Sequence, residues 1–94
     1  MPEMLIGALA RLAGESAQVS LLSQRHWASI TFSGVRYKFA VDCAEERATA
    51  FATAVPEAEL PLRRHFVADA LVVSTQAEGA MTRVIVELLV LPDA

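Results

Sequence analysis

Ninety-four residues, with a net charge of −3 and 54% hydrophobic side chains, allow a single domain over residues 1–94 built around one core. The apolar share exceeds the roughly 45–50% of ordinary globular domains and the mean hydropathy is +0.40, which excludes a disordered chain. A pI near 5.2 argues against general attraction to a nucleic-acid backbone, so we expect no nucleic-acid partner.

The cysteine content and the N-terminal residues point to a cellular compartment. Cys43 has no second thiol to pair with, and no His or Cys cluster shows metal-ligand spacing, so we expect no disulfide, metal or cofactor. The apolar stretch 4–13 follows Glu3 and contains Arg11, unlike a secretory signal. No run reaches the roughly 20 apolar residues of a membrane span. The sequence predicts a cytoplasmic protein with no membrane contact.

The first part of the chain predicts a helix followed by three strands. Pro2 suits the first position of a helix, and apolar residues recur at helical spacing up to Leu12, so a helix is predicted from Pro2 to Ala13. The period then changes to alternation, which is typical of half-buried strands. Turns at 24–25 and at 33–34 divide the segment, and in this register Ala28 faces Phe39.

A second helix and a long hairpin complete the predicted elements. Asp42 followed by Glu45 resembles a capping box, so the helix is predicted to begin at Cys43 and to end by about Ala54, before Pro56. The segments 66–75 and 81–91 are rich in Val, Leu and Ile and predict two strands joined by a turn at 77–80.

The last hairpin is apolar on both faces. In the predicted register Val67 and Leu71 pair with Val90 and Val86 on one face, and the other face is also mostly apolar. Two short helices cover only one face of a sheet, so the second face needs another cover. The order α-β-β-β-α-β-β predicts an α+β two-layer sandwich, with two helices on one face of about five antiparallel strands.

One aromatic residue and two cations on the outer side of the early strands form a candidate ligand site, namely Trp27, Arg36 and Lys38. The cations suit an anionic group and the indole suits stacking, as in single-stranded nucleic-acid binding. We favour the alternative in which Trp27 packs with Leu22 beneath the stems of the two cations, in a patch that is solvated or meets another chain.

His65, Asp69 and Glu87 are the candidates for acid–base chemistry, with His26 as a further member. On a regular strand His65 and Asp69 lie about 13 Å apart on the same side. We therefore favour structural roles for them and expect no enzyme. Cys43, beside several acidic residues, is expected to be a buried and inert thiol.

Three segments resemble a set of short uncharacterised bacterial proteins: RHWASITFSGVRY at 25–37, Leu60-Pro61, and HFVAD at 65–69. The resemblance covers most of the chain. It implies a small free-standing bacterial protein with the α+β order, and it implies no activity, cofactor, partner or functional residue.

These patterns favour a non-enzymatic interaction module that forms a homodimer or binds a protein partner through its second sheet face. If that side faces away from the helices, the candidate interface residues are Leu22, Trp27, Val67, Leu71, Val84, Val86 and Leu88. The alternative is a binder of a small anionic ligand or single-stranded nucleic acid through Trp27, Arg36 and Lys38. An enzyme ranks last, because no nucleophile and base stand at a defined spacing.

Overall fold

Two helices and a four-stranded antiparallel sheet make up the protein in a computed structural model that describes residues 1–93. The elements are α1 (Pro2–Ala13), β1 (Gln18–Ala28), β2 (Ser33–Ala44), α2 (Glu45–Ala54), a 3₁₀ turn (Val55–Glu57), β3 (His65–Glu78) and β4 (Met81–Pro92). The predicted α+β class is confirmed. The predicted fifth strand is wrong, and the order is α-β-β-α-β-β.

Helix α1 has the predicted bounds. Pro2 and Glu3 lie in its first turn, and Arg11 lies in its last turn. The charge at each end therefore interacts favourably with the helix dipole. The helix ends at Gly14, which has a φ of 114°. Leu5 and Leu9 are fully buried and attach the helix to the sheet.

The first hairpin differs from the prediction because β1 is one continuous strand with a bulge at Leu22. The predicted turn at 24–25 is wrong, since Gln24 and Arg25 pair in the ladder. The real loop lies at 29–32, where the Ser29 amide donates to the Phe32 carbonyl at 2.7 Å and the Phe32 amide donates to Ser29 Oγ at 3.1 Å. The predicted turn at 33–34 therefore lies inside β2, and Leu21 rather than Ala28 faces Phe39.

Helix α2 begins later than predicted because β2 continues to Ala44. Asp42 lies in the strand and its carboxylate accepts hydrogen bonds from Arg83, so it does not cap the helix. The predicted start at Cys43 is wrong, and the predicted end at Ala54 is confirmed.

The second hairpin turns more tightly than predicted, because Glu78 already pairs with Met81 and only two residues form the turn. Gly79 takes a φ of 63°, which the first position of such a turn requires. Bulges at Ala68 and Val73 then shift the register of β3. As a result Leu71 lies opposite Glu87 and not opposite Val86 as predicted, whereas Val67 lies opposite Val90 as predicted.

The core lies between the helices and one face of the sheet, whose strand order is β1-β2-β4-β3. Alternate residues of the two central strands supply the sheet side of the core: Tyr37, Phe39, Val41, Cys43, Val84, Val86, Leu88 and Val90. Leu5, Leu9, Phe51 and Val55 pack against them. Burial of Cys43 is confirmed. Within residues 1–93 both helices serve this one face, and no element covers the other.

Candidate functional site: the outer face of the sheet

No helix among residues 1–93 covers the side of the sheet that points away from the core, and we call this side the outer face. Paired residues of neighbouring strands share a face, so the ladder assigns its members directly. Its members include Ser20, Ser23, Arg25 and Trp27 on β1, Arg36, Lys38 and Asp42 on β2, Arg83, Ile85, Glu87, Leu89 and Leu91 on β4, and Phe66, Asp69, Leu71, Ser74 and Glu78 on β3.

Large apolar side chains stand exposed on this face and at the bulges of its edge strands. Phe66 is 45% exposed, Leu71 39% and Trp27 37%. Leu22 and Val73, the unpaired residues of two bulges, are about half exposed. Other exposed apolar residues lie elsewhere, namely Ile30 and Phe32 in the loop and Leu21 on the helix side. Neighbouring exposed apolar residues on one sheet face are typical of a surface that meets another molecule.

A cluster of charges lies beside the apolar residues. Glu87 accepts a hydrogen bond from Arg36 at 3.1 Å and lies 3.9 Å from Lys38 Nζ. Arg25 lies directly across the ladder from Arg36. The four side chains, with Ser23, line a depression of about 390 Å³. Three cations and one carboxylate therefore line the depression, which leaves it positive.

A second ion pair joins the two central strands further along the outer face. Arg83 donates to Asp42 through Nε at 2.8 Å and through Nη2 at 3.0 Å. Its Nε also lies 3.3 Å from Glu78. The hydrogen bonds from Arg83 lower the pKa of Asp42, and the two carboxylates raise the pKa of Arg83. Both groups therefore stay charged over the physiological range of pH.

The structure divides the predicted interface residues between the two sides of the sheet. Leu22, Trp27 and Leu71 are exposed. Val84, Val86 and Leu88 are fully buried beneath the helices. Val67 packs against that core on the same side. The condition that this side faces away from the helices therefore fails for these four residues, and the bulge at Ala68 explains why Leu71 lies on the opposite face from Val67. Phe66, which pairs with Leu91, belongs to the outer face in their place.

The acid–base candidates do not meet. The bulge at Ala68 places Asp69 on the outer face with Leu89, whereas His65 lies on the helix side opposite Pro92. The expectation that His65 and Asp69 share a side is therefore wrong. Glu87 lies on the outer face and is engaged by Arg36 and Lys38.

His26 and His65 both line one groove on the helix side of the sheet. The groove has a volume of about 370 Å³, lies near Met1 and has an apolar floor that includes Tyr37 and Val90. The Nδ1 of His65 lies 3.0 Å from the Arg63 carbonyl. Burial, with a smaller effect from Glu3, raises the pKa of Tyr37. Among residues 1–93, no three His, Cys, Asp or Glu side chains form a metal-binding cluster.

The buried thiol of Cys43 lies away from these surfaces, in the core. Burial raises its pKa, and Asp42 adds to the effect. In this environment the thiolate is disfavoured, so Cys43 is not suited to act as a nucleophile.

No protein-family model, curated protein or solved structure matches the chain. The resemblance to short bacterial proteins and the cytoplasmic location stay predictions of the sequence. In the described part of the chain, neither helix has the length and apolar character to cross a bilayer.

Proposed function

We propose that the protein is a non-enzymatic interaction module that self-associates through the outer face. The observation that carries this proposal is the set of exposed apolar side chains on a sheet face that no element of residues 1–93 covers. The helices already bury the opposite face, so a second copy is the simplest cover of matching shape. Isologous pairing of this kind is the commonest oligomeric arrangement of soluble proteins.

The size of the outer face suits a stable dimer. The central strands contain 12 residues each. At about 3.3 Å per residue and about 4.8 Å between strands, the face measures roughly 600–700 Å². A standard specific interface buries about 800 Å² per partner, so covering this face with a second copy comes close to that size. Sheets pack face to face in this way about 10 Å apart in β-sandwiches.

Light scattering after size exclusion tests the proposal, with charge introduced at one exposed apolar position. Leu71→Lys places a cation at the β3 edge of the proposed contact, where a second copy would bury it, and should convert a dimer into a monomer. Met4→Lys is the matched control, because Met4 is 40% exposed on α1 and Leu71 is 39% exposed on β3. The parent chain and Met4→Lys should both be dimers. A parent chain that is monomeric at about 100 μM would contradict the proposal.

The positive depression favours a second candidate function, the binding of a small anionic ligand or single-stranded nucleic acid by Trp27, Arg36 and Lys38. Like charges directly opposite each other in a ladder repel, so an anion between Arg25 and Arg36 relieves that repulsion. Trp27 does not line this depression but lies two residues beyond Arg25 on β1, beside the helix-side groove. Its indole offers a stacking surface to a ligand long enough to reach from the depression to Trp27.

Fluorescence of Trp27 tests this second candidate by titration with single-stranded oligonucleotides and with small phosphorylated metabolites. A saturable change in Trp27 emission supports the candidate if added salt weakens the binding. Lys38→Gln should reduce the affinity, and the control Arg47→Gln on α2 should leave it unchanged. A signal that stays flat across both classes of anion would remove the candidate.

A further inference from the structure

A row here means the residues that ladder pairing sets side by side across the four strands. In one row of the outer face, residues of opposite charge lie on the two edge strands. The ladder places Arg25, Arg36, Leu89 and Asp69 side by side across the four strands. Arg25 and Asp69 are therefore separated by three strand spacings, about 14 Å, which is too far for an ion pair within one protomer. The outer face is basic on the β1 and β2 side and carries the exposed carboxylate of Asp69 at its β3 edge.

We propose that two copies pack outer face to outer face about a two-fold axis that runs parallel to the strands, between β2 and β4. This inference rests on the proposed self-association and specifies its geometry. Rotation about such an axis places β1 over the partner's β3 and β2 over the partner's β4. Each row keeps its height along the strands, so it lies over the same row of the partner. The rotation places Arg25 of one protomer over the partner's Asp69, and the partner's Arg25 over Asp69, so that two ion pairs form.

The neighbouring rows match under the same rotation. Trp27 pairs with Gly34 at the β1 edge, and Phe66 pairs with Leu91 at the β3 edge. The rotation sets Trp27 over the partner's Phe66, which joins two exposed aromatic side chains. In the row on the other side of Arg25 and Asp69, the rotation sets Lys38 over the partner's Glu87.

The charges on the central strands do not oppose this contact, because they already have partners within the protomer. Arg83 and Asp42 form a bidentate pair, and Glu87 binds Arg36. Rotation places the Asp42 carboxylate over the partner's Arg83 and extends each pair into a network of four alternating charges. Paired charges cost far less to bury than single ones.

A two-fold axis perpendicular to the strands does not form these edge pairs. It stacks each strand on its own copy and reverses the order of the rows, so Arg25 on β1 cannot reach the partner's Asp69 on β3. The β1 and β2 side of one protomer then lies over the β1 and β2 side of the other, and Asp69 lies over β3 of the partner. The pairing of Arg25 with Asp69 therefore selects the axis parallel to the strands.

A charge-exchange experiment tests the pairing of Arg25 with the partner's Asp69. Arg25→Glu and Asp69→Lys each create two repelling pairs in a homodimer, so each variant alone should dimerise at least about tenfold more weakly. An equimolar mixture should recover the parent affinity, because both edge pairs of the heterodimer are then attractive. The double variant should also recover it. Arg47→Glu, on the exposed surface of α2, is the control. Failure of the mixture to recover affinity would overturn the pairing.

Cross-linking distinguishes the two axes. The parallel axis sets Ser20 over the partner's Ser74, and about 17 Å separates each serine from its own copy. Ser20→Cys and Ser74→Cys proteins are treated with a bifunctional thiol-reactive cross-linker about 10 Å long. They should form a covalent dimer only when the two proteins are mixed. The parent chain is the control, because its one cysteine, Cys43, is buried.

The outcomes separate the geometry from the proposed function. Self-linking of Ser20→Cys, or no link in the mixture although light scattering shows a dimer, overturns the axis and leaves self-association intact. A parent chain that is monomeric by light scattering removes both.

Discussion

Gly34 on β2 lies so close to β4 that a Cβ at this position would stand 2.5 Å from Leu91 Cδ2 and 2.6 Å from the carbonyl oxygen of Val90. The tip of the Leu91 side chain can move, but the carbonyl oxygen belongs to the sheet ladder. The glycine is therefore needed for the close approach of two central strands.

Replacement of Gly34 should destabilise the sheet. Gly34→Ala forces the strands apart and should lower the free energy of unfolding by about 1–3 kcal/mol, measured by urea denaturation. Gly7→Ala is the matched control. A Cβ there meets only Arg11 Nη1 at 3.5 Å, and alanine should stabilise the helix by about 0.5–1 kcal/mol. Equal unfolding midpoints for the parent chain and Gly34→Ala would contradict this account.

The role of Gly34 also explains where sequence reasoning about the first hairpin failed. Serine followed by glycine is a typical turn signal, but here the pair lies in β2 and the loop consists of Ser29 to Phe32. That loop contains exposed Ile30 and Phe32 and no glycine or proline, so composition does not mark it. The bounds of α1 were predictable, because helical periodicity and the flanking Pro2 and Gly14 agree.

The bulges limit what could be predicted of the candidate site. Each bulge leaves one residue unpaired, and no residue type in the sequence marks the place. The residues that follow a bulge lie on the opposite face from the one that strict alternation predicts. Val67 and Leu71, assigned to one surface by strict alternation, therefore lie on opposite sides. The sequence alone shows that the strands carry more apolar residues than two helices can cover. The face on which each apolar residue of β3 lies depends on the bulges.

The ion pair of Asp42 and Arg83 predicts a loss of stability in acid. Hydrogen bonds from Arg83 lower the pKa of Asp42 in the folded protein. A carboxyl group of this kind stabilises the fold above its unfolded pKa of about 3.9, and its contribution disappears as the pH falls through the folded value.

Asp42→Asn should accordingly lower the free energy of unfolding by at most about 1 kcal/mol at pH 7, because Arg83 is 39% exposed. As the pH falls below about 3.9, the difference between the variant and its parent should shrink. Urea denaturation at pH 7 and at the lower pH, in the Leu71→Lys background, measures the effect without a contribution from association. Asp69→Asn is the control on the same face. A difference that persists at the lower pH would contradict the assignment.

Cys43 should resist thiol reagents while the protein is folded. Its side chain is buried in the core, and burial raises its pKa. Reaction with a chromogenic disulfide at pH 8 should be at least about 100-fold slower than in urea, and its rate should follow unfolding. Destabilisation by Gly34→Ala should speed the reaction and Gly7→Ala should slow it. A native rate equal to that in urea would show that the thiol is accessible.

Trp27 should report association directly, because it is the only tryptophan and lies on the outer face. In the protomer it is 37% exposed, and contact with the partner's Phe66 would remove it from water. Its emission maximum should therefore shift to shorter wavelength as the protein concentration rises from about 0.1 to 100 μM. Met4→Lys should show the same shift and Leu71→Lys none. An anion bound beside Arg36 would instead change the emission at constant protein concentration. If light scattering records dimer formation over this range while the emission maximum stays fixed, Trp27 lies outside the contact, and its pairing with the partner's Phe66 is excluded.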